Sequence, residues 1–197
     1  MRNTLSTFLL AAVTSVLVAC AHEEPLPAAD AMPPEANSVP QGGRFVLTGI
    51  RQPIVALITD QGIQGPDVNL GRFPGESGGT GWRGTAFGRD VNLTVTADSA
   101  NGVVGRSPFS LQTTKQPDGM LVYGLILGSP STVTINKARI NGAFGRCGYD
   151  LRFHQAYVGP RSCGGNIIQV GVTLPPILNT WPDAEVAVAL SLLMSGR

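Results

Sequence analysis

Between Trp82 and Gly165 one short pattern keeps returning: a glycine, three or so residues, a second glycine, usually an arginine or serine, then alternating apolar residues. The units begin Trp82-Arg83-Gly84-Thr85-Ala86-Phe87-Gly88-Arg89, Asn101-Gly102-Val103-Val104-Gly105-Arg106, Tyr123-Gly124-Leu125-Ile126-Leu127-Gly128-Ser129 and Asn141-Gly142-Ala143-Phe144-Gly145-Arg146. Their first glycines stand 18, 22 and 18 residues apart, close to two strands of about 6 residues each with their turns. Each unit therefore reads as one β-hairpin. After each second glycine comes an alternating run, such as Val91, Leu93 and Val95 against Asn92, Thr94 and Thr96, or Tyr149, Leu151 and Phe153 against Asp150, Arg152 and His154. A period of two means one buried and one wet face. Glycine at the turn supplies the positive φ that a tight hairpin needs, and Pro117-Asp118-Gly119 is a turn signal of the same kind.

Consecutive hairpins are antiparallel, so the chain is expected to be all-β: a meander of repeated hairpins forming a barrel or a strongly curled sheet. A β-sandwich is the alternative. The folded part is read as one domain from 44 to 197. Phe45 to Ile50 and Ile54 to Thr59 read as strands, Gly62 to Gly81 as a loop punctuated by Gly65-Pro66 and Pro74-Gly75, and Ile167 to Leu174 as a further strand ended by Pro175-Pro176. Trp181-Pro182-Asp183 is a helix start, and Val186, Ala189, Leu190 and Leu193 follow at helical spacing. This short C-terminal helix, about 182–195, is expected to lay its apolar face across the sheet or over one mouth of a barrel.

The first residues carry a different signal. Arg2 precedes an apolar run from Leu5 to Val18, the layout of an export signal. Leu17-Val18-Ala19-Cys20 closes that run and resembles the lipobox of bacterial lipoproteins. The resemblance implies that 1–19 is a signal peptide removed before Cys20, that Cys20 carries a diacylglyceryl thioether and an acylated amino group, and that the partner of this end is a membrane. Ala21, not being aspartate, implies an outer-membrane destination. An ordinary secretory signal with an incidental cysteine is the alternative. Residues 20–43 then form a tether rich in proline, alanine and acid, with Glu23, Glu24, Asp30 and Glu35 and no base. Extended at about 3.1 Å per residue, it would reach roughly 70 Å.

Charge and cysteines narrow the classes further. Of 14 basic and 13 acidic residues, the signal takes only Arg2 and the tether takes four acids, leaving thirteen bases against nine acids, or +4, for the globular part. That is no nucleic-acid footprint. With Cys20 assigned to the lipid, Cys147 and Cys163 are expected to form a disulfide in an oxidising compartment. Each is read as following a turn signal, Gly145-Arg146 and Gly159-Pro160-Arg161-Ser162, so that the bond staples turns of neighbouring hairpins.

Chemistry-bearing motifs are scarce. Gly75-Glu76-Ser77-Gly78-Gly79 resembles the nucleophile segment of chymotrypsin-like proteases over five residues, but that family's histidine precedes its serine and the only earlier histidine is His22, in the tether. His22 and His154 make no metal site, and no catalytic residue or cofactor is expected. Arg89, Arg106 and Arg146 recur in successive units and Arg161 follows the next turn, so in a meander they are expected at one rim, where they either simply solvate the hairpin tips or hold phosphate or carboxylate. The stretch from Gly142 to Trp181, with Gly145-Arg146-Cys147, Ser162-Cys163-Gly164-Gly165 and Leu174-Pro175-Pro176, is similar to bacterial envelope lipoproteins of this hairpin type. That similarity implies no activity. The expected function is a lipid-anchored, non-enzymatic envelope component that binds a protein, a glycan or lipid headgroups. The second expectation is a barrel carrying a hydrophobic ligand, and the third a hydrolase or protease inhibitor using the long loop from Asp60 to Gly81.

Overall fold

The computed structural model describes residues 42–75 and 78–196. The Cys20 region, the tether before Gly42, and Glu76 and Ser77 lie outside the described residues. Fourteen antiparallel strands among the described residues run in chain order around a closed barrel. They are β1 (Gly42–Thr48), β2 (Ile54–Thr59), β3 (Gly62–Gly65), β4 (Val68–Pro74), β5 (Thr80–Ala86), β6 (Arg89–Val95), β7 (Ser99–Val104), β8 (Ser107–Gln116), β9 (Gly119–Ile126), β10 (Ser129–Asn136), β11 (Arg139–Phe144), β12 (Cys147–Phe153), β13 (Tyr157–Cys163) and β14 (Asn166–Thr173). The expected meander and its closure are thus present. The segment from Gly62 to Gly81 is not one loop: it supplies β3, β4 and the start of β5, with Ile63, Val68 and Leu70 buried. Pro66 and Gly75 mark turns between strands there, not the absence of strands.

Odd strands rise from the rim where the barrel begins, here the entry rim, and even strands return from the far rim. Two-residue turns dominate the far rim. Phe87-Gly88 and Leu127-Gly128 have positive φ at both residues, whereas in Gly105-Arg106 and Gly145-Arg146 the glycine takes the first position with φ 62°. These are the two ways a right-twisted hairpin closes in two residues.

The first glycine of each unit has a different job from the one its turn-like appearance suggests. Gly84, Gly102, Gly124, Gly142 and, one hairpin on, Gly159 stand inside β5, β7, β9, β11 and β13, with φ between 131° and 157°. A Cβ on Gly102 would lie 2.1 Å from the carbonyl oxygen of Asn92 on the next strand, and the other four are as tight. Only glycine permits this backbone. The adjoining strand's backbone packs directly against these glycines, and bulky residues stand opposite on the other side, Phe109 across from Gly102 and Tyr149 across from Gly142.

Helix α1 (Asp183–Ser195) differs from expectation in a consequential way. Every residue from Ala184 to Met194 is buried, so it has no wet face and lies across neither the sheet nor a mouth. It occupies the lumen. After β14 the chain crosses the entry rim in a 3₁₀ turn (Pro176–Thr180) and then runs down the barrel axis. A helix apolar all round is stable only when surrounded, and the inward residues of the wall surround it: Phe45, Leu70, Trp82, Leu93, Phe109, Phe144 and Leu151 among them. The outward face is polar on β6 and β8, with Asp90, Asn92 and Thr94 or Ser110, Gln112 and Thr114, whereas Val55, Leu57, Val103, Leu125, Val158 and Ile167 are exposed apolar residues on other strands.

The two kinds of glycine should separate on substitution. Gly102→Ala is expected to destabilise the fold by about 3 kcal/mol or more, because both a carbonyl clash and a disfavoured φ must be relieved. Gly88→Ala, at φ 72° with nothing within 4 Å of the new methyl, should cost about 1–2 kcal/mol. Urea midpoints of the two variants check this difference.

Candidate functional site

Burying a helix end to end leaves its polar termini to be satisfied inside the barrel. At the entry rim the helix begins with Asp183 and Glu185 at the positive end of its dipole. Glu185 is buried and ion-paired to Arg72 of β4, and Thr80 of β5 donates its hydroxyl to the same carboxylate at 2.8 Å. Arg72 also donates to the Asp60 carbonyl at 3.0 Å, and its guanidinium lies 4.4 Å over the Trp181 ring. Trp181 meets Trp82 edge to face at 5.5 Å. At the far rim Tyr149 donates its hydroxyl to the Met194 carbonyl at 2.6 Å, and Arg161 donates to the Tyr149 hydroxyl at 2.8 Å and to the Gly196 carbonyl at 3.3 Å.

The expected arginine rim is therefore divided. Arg106 and Arg146 occupy turns and are exposed; Arg89 is the first residue of β6 at the same rim and is also exposed. The recurrence is less regular than the sequence suggests, because the second glycine is the last turn residue in the first and third units and the first turn residue in the second and fourth. Arg161 does not belong with them. It lies inside β13 and is 4% exposed, and its positive charge meets the negative end of α1. Gly159 to Cys163 is strand and not turn, for the same reason that Gly102 is: the glycine faces a neighbouring carbonyl.

Cys147 and Cys163 are bonded, as expected, with Cα atoms 4.4 Å apart. They are directly opposite residues of β12 and β13, so the bond ties two adjacent strands at the far rim. His154 is exposed in the bend between β12 and β13. Ser77 lies outside the described residues, and among the described residues no cluster of three or more His, Cys, Asp or Glu could hold a metal ion.

The concave feature of ligand size near the helix is at the entry rim. A cleft of about 400 Å³ opens between the 3₁₀ turn, the start of α1 and the ends of β9, β10, β12 and β13. Met120, Ile135, Tyr157, Leu174, Trp181 and Leu190 make its apolar lining, while Asp118, Lys137 and Asp183 stand at its edge. The Tyr157 hydroxyl donates to the Asn136 carbonyl at 2.8 Å, and its ring meets Phe153 at 5.2 Å. Phe153, expected inside, is half exposed because it ends β12 beyond the filled lumen. Trp181 is 7% exposed, and its indole N–H has no acceptor among the described residues. Sequence reasoning missed Arg72, Trp181 and Glu185 as a group; Val68, Leu70 and Arg72 do alternate, which was the available signal for β4.

These features define a closed β-barrel filled by its own C-terminal helix, with a mixed apolar and polar cleft where the helix enters. Comparison with known proteins returns no match to a family model, a curated protein or a solved structure. Among the described residues no helix is long and apolar enough to cross a membrane.

Burial pushes the phenol of Tyr149 above its ordinary value of 10.0, with the charge and hydrogen bond of Arg161 pulling partly the other way; burial likewise raises Tyr157. Both phenols are neutral in folded and unfolded chains below that ordinary value. Above it the unfolded chain ionises first, so stability falls as pH rises from about 10 toward the raised folded values. The urea midpoint should decline over that interval, and less steeply in Tyr149→Phe.

Proposed function

We propose that this chain is a lipid-anchored, non-enzymatic binding protein of the bacterial cell envelope, and that the entry-rim cleft is its small-ligand site. The observation that carries the reading is the occupied lumen. With α1 buried along its whole length, a passenger cannot lie along the barrel axis, and the cleft beside Trp181 is the place where apolar lining and polar edge groups meet. The chemistry of the lining selects the ligand class: an apolar body to lie against Met120, Ile135 and Leu190, with a hydrogen-bond acceptor to meet Lys137 at the edge. Anchoring rests on the Leu17-Val18-Ala19-Cys20 resemblance. The chain preceding Gly42 joins the barrel at the rim that holds the cleft.

Two measurements test the two halves of this reading. In a bacterial host supplied with labelled palmitate, the wild-type chain should take up label and Cys20→Ala should not; equal labelling of both removes the anchor. The mature chain from Ala21, exported behind an ordinary secretory signal, should carry an apolar passenger visible by native mass spectrometry. Val186→Trp, which places an indole in the cleft from the helix, should expel it. An empty wild-type chain that also fails to bind a long-chain methyl ketone, followed by tryptophan fluorescence, removes the ligand site.

A further inference from the structure

The barrel closes through a short seam. β1 and β14 share only three residue pairs, Val46 with Thr173, Leu47 with Val172 and Thr48 with Gly171. β14 begins five residues earlier than that seam, at Asn166, and β13 pairs with it as far as Cys163 opposite Asn166. Among the described residues, no strand pairs with 166–170 on the β1 side.

The chain of β1 turns away at Gly49, with φ 84°, where it packs on the carbonyl of Gln169. Between the departing 49–52 segment and β14 lie two adjoining hollows of about 270 and 460 Å³, which share Arg51, Arg161 and Ile168. The two-residue turn Gly164-Gly165 makes Cys163 and Asn166 a hydrogen-bonded pair. Counting along β14, Asn166, Ile168 and Val170 bond to β13, and the backbone N–H and C=O of Ile167 point into the slot, as does the N–H of Gln169. Ile167 is 72% exposed and Ile168 36%. Proteins usually protect such an edge with lysine, proline or a bulge. Here the edge reads Asn-Ile-Ile-Gln.

Charge indicates the occupant. Arg51, exposed, borders the slot and Arg146 occupies the neighbouring turn, while Arg161 beneath them is engaged by Tyr149 and the end of α1; residues 49–53, 145–149 and 159–169 contain no acid. We propose that the 166–169 edge of β14 takes up an extended, acidic segment of a partner protein by strand addition. Its backbone would continue the ladder from Ile167 and Gln169, its apolar side chains would cover Ile167 and Ile168, and its carboxylates would face Arg51. This site lies at the far rim and does not depend on the cleft.

The test uses a fluorescein-labelled decapeptide of alternating valine and glutamate, its valine–lysine counterpart, and the chain from Ala21 onward, read by fluorescence polarisation. The acidic peptide should bind saturably and the lysine peptide at least about tenfold more weakly. Ile167→Pro removes only an N–H that faces the slot, leaving the β13 ladder in place, and should weaken binding about tenfold, as should Arg51→Glu. N-methylation of alternate peptide residues should do the same without altering the protein, which keeps the test sharp should Ile167→Pro unfold. Equal binding of the two peptides, or indifference to both Ile167→Pro and peptide methylation, overturns the proposal. So does a concentration-dependent dimer dispersed by Ile167→Pro, which would assign the edge to a second copy. Binding seen only when the chain starts at Gly42 would assign it to the acidic tether and likewise overturn a partner in trans.

Discussion

Filling the lumen is the constraint on which this structure turns. As a barrel gains strands its interior widens faster than inward side chains can close it, and fourteen strands enclose room for a whole helix. α1 fits that room because small residues, Ala184, Ala187 and Ala189, alternate with Val186, Val188, Leu190, Leu192 and Leu193, so bulk is spread around the axis and every face is apolar. Close strand-to-strand packing at Gly84, Gly102, Gly124, Gly142 and Gly159 belongs to the same wall. Neither partner stands alone: a free α1 would expose apolar surface on all sides, and an unfilled wall would lose the dispersion contacts of its inward residues.

The polar anchors follow from the same constraint. A buried helix end cannot turn to water, so Glu185 with Arg72 and Thr80 at one end, and Tyr149 with Arg161 at the other, satisfy or balance the termini within the barrel. The signs agree with the helix dipole at both ends. Such pairs contribute position more than net stability, since their attraction offsets the desolvation of bringing charge inside. They fix the depth of α1, and with it the shape of the cleft that the start of the helix borders.

Much of this was legible in the chain. Strict alternation in runs such as Val91-Asn92-Leu93-Thr94-Val95, repeated at hairpin spacing, specifies an antiparallel meander, and the disulfide and helix were equally plain. What was hidden shares one cause: a residue type that serves two physical ends. Glycine marks a turn at Gly88 and Gly105 but a close strand approach at Gly84 and Gly102, and the letters alone do not distinguish them. In 62–81, glycine and proline concealed β3 and β4, and with them Arg72. Val186, Ala189, Leu190 and Leu193 fit an amphipathic stripe, yet Ala187, Leu192 and Met194 make the opposite side apolar too, which is the mark of a surrounded helix. Arg161 looked like its turn neighbours because only three-dimensional register shows that it faces inward.

The seam explains the placing of the disulfide. A meander barrel must close where its first and last strands meet, and here the last outruns the first, so among the described residues the far end of β14 has a partner strand on one side only. That end hangs from β13, which is itself weakened: Pro160 has no N–H to give, and Gly159 crowds Asp150, so the β12–β13 pairing is interrupted between Tyr149–Arg161 and Arg152–Val158. Cys147–Cys163 bridges β12 to β13 just beyond the interruption and one pair from the turn into β14. In the chain-entropy view a bond closing a loop of this size contributes about 3 kcal/mol, but its position does more than its magnitude. It holds the β13–β14 tip where β1 does not reach, and so an edge that no described strand pairs with can be kept in order.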